Sequence, residues 1–127
     1  MVNTNLVLEN DQILLRVITE QDFSLLQDLA NDPGLWIYFT QDLSVESDFL
    51  KWVEPALKGK RFQFVVIEKS SNSIVGSTAF GNYSQADQRI EIGWTWLGKA
   101  FHGSGINRQM KLLMIRYCAE VLKLKRV

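Results

Sequence analysis

The alternation of apolar and polar positions along the chain predicts four strands and three helices in a fixed order. Apolar alternation or short β-branched runs predict the strands, and apolar positions three or four residues apart predict the helices. The predicted strands are Ile13–Val17, residues 62–68, residues 74–80 and Arg89–Leu97, and the predicted helices lie within residues 19–32, 44–59 and 106–122. Arg126 and Val127 have the pattern of a further strand that is only begun. This order predicts one α+β domain over residues 1–127 with a largely antiparallel sheet flanked by helices.

Polar residues and helix breakers set the expected ends of these elements. Thr19 is predicted to cap the first helix, with Asp22 three residues later in the position of a capping box. Ser44 is the predicted cap of the second helix, and the Asp32-Pro33-Gly34 segment ends the first one. Polar segments at residues 70–73 and 82–88 predict turns between the last three strands.

The segment after the last predicted strand carries the clearest candidate chemistry. Residues 98–107 read GKAFHGSGIN and lead directly into a helix. A glycine turn before a helix N-terminus presents free N–H groups and positive potential, which suits a phosphate. Gly98 and Gly103 have the spacing of a Walker loop, but Ser104 stands where that loop needs lysine. A Rossmann fingerprint fails as well, because Arg108 replaces its third glycine and an antiparallel meander precedes the turn.

Composition narrows the classes of function that remain. The 127 residues include 14 Lys and Arg against 14 Asp and Glu, which argues against a nucleic-acid-binding surface. The basic cluster Lys123, Lys125 and Arg126 is expected to be a solvated helix end. The chain has no apolar run of membrane-spanning length and no leader pattern, and Cys118 is its only cysteine. A cytoplasmic protein is therefore expected. No metal site is expected.

Five segments in sequence carry a resemblance to a known family. They are LRVITEQDF at residues 15–23, NDPGLW at 31–36, IVG at 74–76, EIGWTWL at 91–97 and GSG at 103–105. Together they resemble the Gcn5-related N-acetyltransferases (GNAT), in particular the RimJ/RimL-like branch. Ala100 departs from the Gln or Arg of that family's pyrophosphate motif. The family's domain normally continues with a strand, a helix and a strand, so the resemblance implies a chain that is incomplete at its C-terminus.

The resemblance implies an enzyme that moves acetyl from acetyl-CoA to a primary amine, either a protein N-terminus or a small molecule. Pantetheine is expected to pair with the backbone of Thr95, Trp96 and Leu97, where an N–H near Trp96 would polarise the thioester. The diphosphate is expected at the turn residues, with His102 as a neighbouring contact. The expected turn residues are Gly103, Ser104, Gly105, Ile106 and Asn107.

The resemblance also implies residues for the amine and for proton transfer. Trp36, Phe39 and Trp52 fall where the family lines its acceptor cleft, although core packing is the favoured explanation for them. Glu91 is the candidate base; the alternative is a surface ion pair with Arg89.

For most of the other residues with functional groups, a structural role is expected. His102 as a base and Ser104 as a nucleophile are both less favoured than roles in the turn. Trp94 and Trp96 are expected on opposite faces of the strand, with one of them in the core. Cys118 is expected to be buried. Tyr83 or Tyr117 as a substitute acid has no support beyond residue type.

Two further functions stay open at this stage. An incomplete acetyltransferase fold could self-associate through its open side and bind CoA without turnover, as a homo-oligomeric scaffold. An unrelated α+β binder of nucleotide phosphates would instead show affinity for ATP or NAD and none for CoA.

Overall fold

The computed structural model describes residues 5–37, 39 and 41–123. The described elements, in chain order, are β1 (Val7–Glu9), β2 (Ile13–Val17), α1 (Phe23–Ala30), α2 (Glu46–Leu57), β3 (Arg61–Glu68), β4 (Ser73–Ser84), β5 (Arg89–Leu97) and α3 (Ile106–Glu120). Short 3-10 turns at Glu20–Asp22, Pro33–Trp36 and Lys99–Phe101 join them. The strand predicted at Arg126 and Val127, and most of the basic cluster, lie outside the described residues.

The five strands form one sheet in chain order, and every neighbouring pair is antiparallel. This confirms the predicted α+β class and its antiparallel sheet. Strand β5 lies at one edge, and no described strand pairs with its outer side. The backbone groups on that side are therefore available to a ligand or to another segment.

Each face of the sheet has its own hydrophobic core. On one face α3 buries Ile106, Met110, Met114 and Cys118 against the strands. The other face carries α1 and α2, where Leu26, Phe49, Trp52 and Val53 pack against Val65 and Trp96. The alternation of strand side chains divides them between the two cores.

The predicted cap Thr19 begins the 3-10 turn Glu20–Asp22, which leads into α1 at Phe23, and the predicted cap of the second helix is not found. The Thr19 backbone N–H donates to the Asp22 carboxylate at 2.8 Å, which confirms the capping-box position. Helix α2 begins at Glu46 with Val45 as its N-cap, so the prediction of Ser44 as the cap is wrong. The Ser44 hydroxyl instead donates to the side chain of Asp42, which removes it from the helix terminus.

Several strand and helix bounds differ from the prediction. Strand β1 was missed because three residues give too short a pattern. Strand β4 runs over Ser73–Ser84, well beyond the predicted residues 74–80, because β3 and β5 both pair with it. Helix α3 ends at Glu120, short of the predicted residue 122, and Val121, which spacing from Ile106 had assigned to its apolar face, is 62% exposed.

Strand β5 is interrupted by a bulge near its C-terminal end. Ala79 pairs with Gly93 and Ser77 with Trp96, so Trp94 and Thr95 together oppose a single residue of β4. Trp94 has a φ of 50°, a left-handed conformation that a bulky residue adopts only where surrounding structure holds it. The bulge changes which side chains face each way along the rest of the strand.

The prediction that Trp94 and Trp96 lie on opposite faces is wrong, and alternation along a regular strand already places residues two apart on the same face. Both line the same cavity on the side of α2. Trp96 is 4% exposed, so the expectation that one of the two is in the core is confirmed. None of the described helices is long and apolar enough to cross a membrane.

Candidate functional site

The glycine turn before α3 has the geometry of an anion cradle. Gly103 and Gly105 have φ values of 75° and 86°, and neither has a described atom within 4 Å of its missing side-chain position. Within the described residues, the N–H groups of Gly103, Gly105 and Asn107 donate no hydrogen bond. Open space and free donors at a helix N-terminus are what a phosphate group requires.

The end of β5 joins this turn to a cleft. A cavity of about 190 Å³ is lined by Leu35, Phe39, Thr95, Trp96, Leu97 and His102. His102 folds back so that its Nε2 lies 3.0 Å from the Leu97 carbonyl oxygen. Because a carbonyl only accepts, Nε2 carries the proton in this contact. The exposed edge of β5 thus runs from the glycine turn into the cleft.

A second, aromatic cavity adjoins the first. It has a volume of about 100 Å³ and is lined by Trp36, Phe39, Gln41, Leu43, Trp52, Trp94, Thr95 and Trp96. The Trp36 and Trp96 rings lie edge to face with centroids 5.3 Å apart, and Trp52 meets Trp96 at 6.0 Å. Phe39, Thr95 and Trp96 line both cavities, so the two cavities adjoin at these residues.

The bulge places a small polar network between these cavities and α3. The Lys111 ammonium donates to Thr95 Oγ1 at 2.7 Å, and Thr95 Oγ1 lies 2.8 Å from Thr78 Oγ1. Burial lowers the pKa of Lys111. Among the described residues Lys111 has no carboxylate partner, so its charge is held by hydroxyl dipoles beside the bulge.

A second cation lies behind the aromatic cavity. Arg61 is 8% exposed, and its guanidinium carbon lies 5.7 Å from the ring centroid of Trp52 and 5.3 Å from that of Trp94. One guanidinium nitrogen donates to the Trp52 carbonyl, while Nε is buried without a partner among the described residues. Burial lowers the pKa of Arg61, although a guanidinium remains charged at neutral pH.

The family described as Acetyltransferase (GNAT) domain matches residues 12–127, which is most of the chain. The chain belongs to this acetyltransferase family. The five-stranded antiparallel sheet with three helices is that part of the GNAT fold which the described residues contain.

Individual GNAT proteins resemble the chain at low identity. The "Uncharacterized N-acetyltransferase p20" of Bacillus licheniformis is 26% identical over 125 residues, with 94% of this chain and 70% of that protein covered. A GCN5-related N-acetyltransferase from Brucella melitensis superposes with a TM-score of 0.82 at 20% identity, covering 94% of this chain and 57% of that one. A proposed ribosomal-protein-serine acetyltransferase from Vibrio cholerae gives 0.77 at 17% identity, covering 97% and 72%. The chain therefore spans little more than half the length of the Brucella protein.

The structure of this GNAT domain brings most of the predicted site residues together. Trp36, Phe39 and Trp52 share one cavity with Thr95 and Trp96, although they come from three separated segments of the chain. Trp36 and Trp52 also pack in the core of the α2 face, so for these two residues the packing role and the cavity role coincide, whereas Phe39 is 49% exposed.

Glu91 lies apart from this group. It is exposed, accepts a hydrogen bond from Asn82 Nδ2 at 3.0 Å, and does not line either cavity. Arg89, its alternative partner, lies 3.8 Å from Asp87. Glu91 therefore has a surface partner, but a different one from that considered.

The side chain of Ser104 is held within the turn. Its hydroxyl donates to the Phe101 carbonyl at 2.5 Å, and its backbone N–H approaches the same oxygen at 3.3 Å. The Ile106 N–H reaches Ser104 Oγ at 3.4 Å. Two of the five N–H groups expected to hold the diphosphate are thus already engaged, which leaves Gly103, Gly105 and Asn107.

The remaining polar candidates lie away from the cleft. Tyr117 packs beside Phe80 with ring centroids 6.0 Å apart on the α3 face, and its burial raises the pKa of the hydroxyl. Tyr83 is 37% exposed and lines neither cavity. Cys118 is buried as expected, and burial raises its pKa to about 11.

Sequence reasoning missed three residues of the site: Arg61, Trp94 as a cavity residue, and Lys111. Arg61 and Lys111 look like ordinary surface cations in the sequence. A signal exists for Arg61, because alternation from the buried Val65 places Gln63 and Arg61 on the same inward face. No comparable local signal marks Lys111, since it lies within reach of Thr95 only through the packing of α3 on the sheet.

Proposed function

We propose that this chain is an acetyl-CoA-dependent N-acetyltransferase of RimJ/RimL type whose acceptor is a primary amine. The observation that carries the proposal is the path along which the glycine turn, the open edge of β5 and the two adjoining cavities follow one another. A long cofactor with a diphosphate at one end and a thioester at the other matches that path. The family to which the chain belongs, and the order of its motifs, support the same assignment.

The diphosphate of acetyl-CoA would bind the free N–H groups of Gly103, Gly105 and Asn107. Their donors point from the N-terminus of α3, where the helix dipole favours negative charge. Pantetheine would then pair with the backbone of Thr95, Trp96 and Leu97 on the side of β5 that no described strand occupies. His102 borders this path and donates a hydrogen bond to the Leu97 carbonyl oxygen. Bound CoA would either replace this hydrogen bond or cover it from solvent.

Transfer of the acetyl group would proceed by direct attack of a neutral amine on the thioester carbonyl. A carbon–nitrogen bond forms, the carbon–sulfur bond breaks, and the thiolate leaves with a proton. The bulge turns the backbone near Trp96 out of the regular ladder, which allows an N–H there to stabilise the developing oxyanion. Alignment of the two reactants in adjoining cavities supplies a further part of the rate.

Glu91 is retained as the proposed base, acting through water because its carboxylate does not line the cleft. Glu91→Gln is expected to lower kcat by roughly a hundred- to ten-thousandfold with little change in the KM for acetyl-CoA, the range typical of a general base. Asp87→Asn is a matched control on the neighbouring turn. An unchanged kcat in Glu91→Gln would assign Glu91 to its surface contact with Asn82 alone.

Calorimetric titration with acetyl-CoA, with ATP as the control, tests the proposal first. Micromolar binding of acetyl-CoA without binding of ATP is expected. Gly105→Ala should weaken that binding by about tenfold, because the added methyl group occupies the open space in the cradle and strains a left-handed residue. Gly59→Ala is the matched control, since Gly59 also has a positive φ of 73° and open space but lies far from the turn.

The two glycine variants should lose similar stability, about 1 kcal/mol each, while only Gly105→Ala loses affinity. Acetyl transfer to a panel of primary amines, followed as release of the CoA thiol, then separates an enzyme from a binding module. Equal binding of ATP, or equal loss in both variants, would contradict the proposed site.

The alternative function is a self-associating module that binds CoA without turnover. The observation that favours it is the open outer edge of β5, which could pair with a second copy. Light scattering distinguishes the two arrangements: a monodisperse monomer that transfers acetyl would exclude the alternative, and a dimer without turnover would support it.

A further inference from the structure

All four tryptophans of the chain line one cavity. They are Trp36, Trp52, Trp94 and Trp96, and they come from the turn after α1, from α2 and from β5. None of the described residues that line this cavity carries a charge. A concave site walled by indole rings has two common occupants: an apolar group, or a cation held by the ring faces.

The charge behind the rings decides between these occupants. Arg61 does not line the cavity, but its guanidinium lies within 6 Å of the ring centroids of Trp52 and Trp94. It is nine-tenths buried, has no carboxylate partner among the described residues, and leaves Nε without a hydrogen bond. Two of the rings therefore already face a cation that solvent hardly screens.

A second cation inside the cavity would meet this charge across a single layer of indole. The repulsion acts through protein and not through water, so it opposes the attraction that a ring face offers. A neutral apolar group meets no such penalty. It also gains from the removal of both apolar surfaces from water.

We propose that the aromatic cavity holds a compact, uncharged apolar group of the acceptor, and that Arg61 selects against cationic groups there. The proposal rests on the assignment of this cavity to the acceptor side of the acetyltransferase. It predicts monoamines that carry a small aromatic or branched aliphatic group as acceptors, and it excludes polyamines, whose second ammonium would enter the cavity.

Tryptophan emission tests this directly, because every tryptophan of the chain lies at the cavity. The probes are choline and 3,3-dimethylbutan-1-ol, which share one shape and differ in the charge of the quaternary centre. Titration in the absence of acetyl-CoA keeps the test independent of turnover. The neutral alcohol is expected to change the emission saturably with a Kd at least roughly tenfold below that of choline.

Variants at Arg61 identify the source of the preference. Arg61→Met removes the charge at similar length and should bring the two Kd values within about threefold of each other. Arg61→Lys keeps the charge and should retain the preference. The comparison in the unaltered chain stands by itself if either variant fails to fold.

Tighter binding of choline than of the alcohol would overturn the proposal. An unchanged preference in a folded Arg61→Met variant would overturn it as well, and so would the absence of any change in emission with either probe. Failure of acetyl transfer with normal probe binding would instead count against the proposed enzyme and leave intact the preference of the cavity for uncharged apolar groups. Turnover of a phenylalkylamine but not of spermidine would support both.

Discussion

The close approach of β4 and β5 at Gly76 allows a sharp test of how the cleft is built. A side chain added at Gly76 would lie 2.2 Å from the Trp96 carbonyl oxygen and 2.9 Å from the Leu97 Cα. Both contacts are with backbone, so no rotation of a flexible side chain relieves them. Gly76→Ala must therefore push the end of β5 away from β4, at the residues where pantetheine is proposed to pair.

The cost can be estimated from known substitutions. Forcing an extra methyl group into a packed site costs about 1–3 kcal/mol, and backbone contact places this case towards the upper end. For a domain of this size, each kcal/mol lowers the melting temperature by roughly 3–6 °C, so a fall on the order of 10 °C is expected. Affinity for acetyl-CoA should fall as well, because the moved residues border the cofactor path.

Gly93→Ala supplies the matched control on the adjoining strand. Gly93 has no neighbouring atom within 4 Å of the added carbon, and its φ is not positive. Its replacement should be neutral or stabilise the domain by roughly 0.5 kcal/mol through the unfolded chain. Differential scanning fluorimetry and acetyl-CoA titration of the two variants measure the contrast. Equal melting temperatures for Gly76→Ala and Gly93→Ala would refute the reasoning.

Two further predictions concern stability and reactivity. Burial alone would raise the pKa of Asp22, but hydrogen bonds from Arg16 and Thr19 together with the Arg16 charge lower it below 3.8. A carboxyl whose pKa is lower in the folded than in the unfolded chain stabilises the fold at pH values above its unfolded pKa. Asp22→Asn should therefore lower the free energy of unfolding by about 1–3 kcal/mol at pH 7, and this difference should shrink as the pH falls below 3.8. Urea unfolding of both chains at pH 7 and pH 3 measures the difference. The Cys118 thiol is buried, and burial raises its pKa to about 11. Its reaction with a disulfide reagent at pH 8 should therefore be at least roughly a hundredfold slower in the native chain than in urea. Equal rates would place the thiol at the surface.

The sequence predicted the type and order of the larger elements because their signals are local. Apolar residues at steps of three or four from Ile106 predicted α3 without knowledge of the sheet. Packing on the sheet decided that the residues it buries are Ile106, Met110, Met114 and Cys118. The glycine turn could also be predicted from the sequence, because glycines directly before a helix favour the left-handed backbone conformation that such a turn needs. Its use by acetyl-CoA stays a proposal.

Features that depend on pairing between strands were predicted less well. The short strand β1 and the long strand β4 take their bounds from their partners. The bulge at Trp94 and Thr95 likewise exists only as a mismatch with Thr78, so the pattern along β5 alone could not locate it. Ser44 has the residue type of a helix cap, but Asp42 competes for its hydroxyl.

By itself, the sequence determined the α+β class, the antiparallel order of the main strands, the glycine turn at Gly103–Gly105 before α3 and the resemblance of its motifs to the GNAT family. Tertiary structure alone decided that four tryptophans meet at one cavity, that Arg61 is buried behind two of them, and that Lys111 reaches Thr95. Periodicity and turn chemistry act over a few neighbouring residues and can be followed along a chain. Contacts between distant side chains depend on register and on helix packing, which only the folded chain fixes.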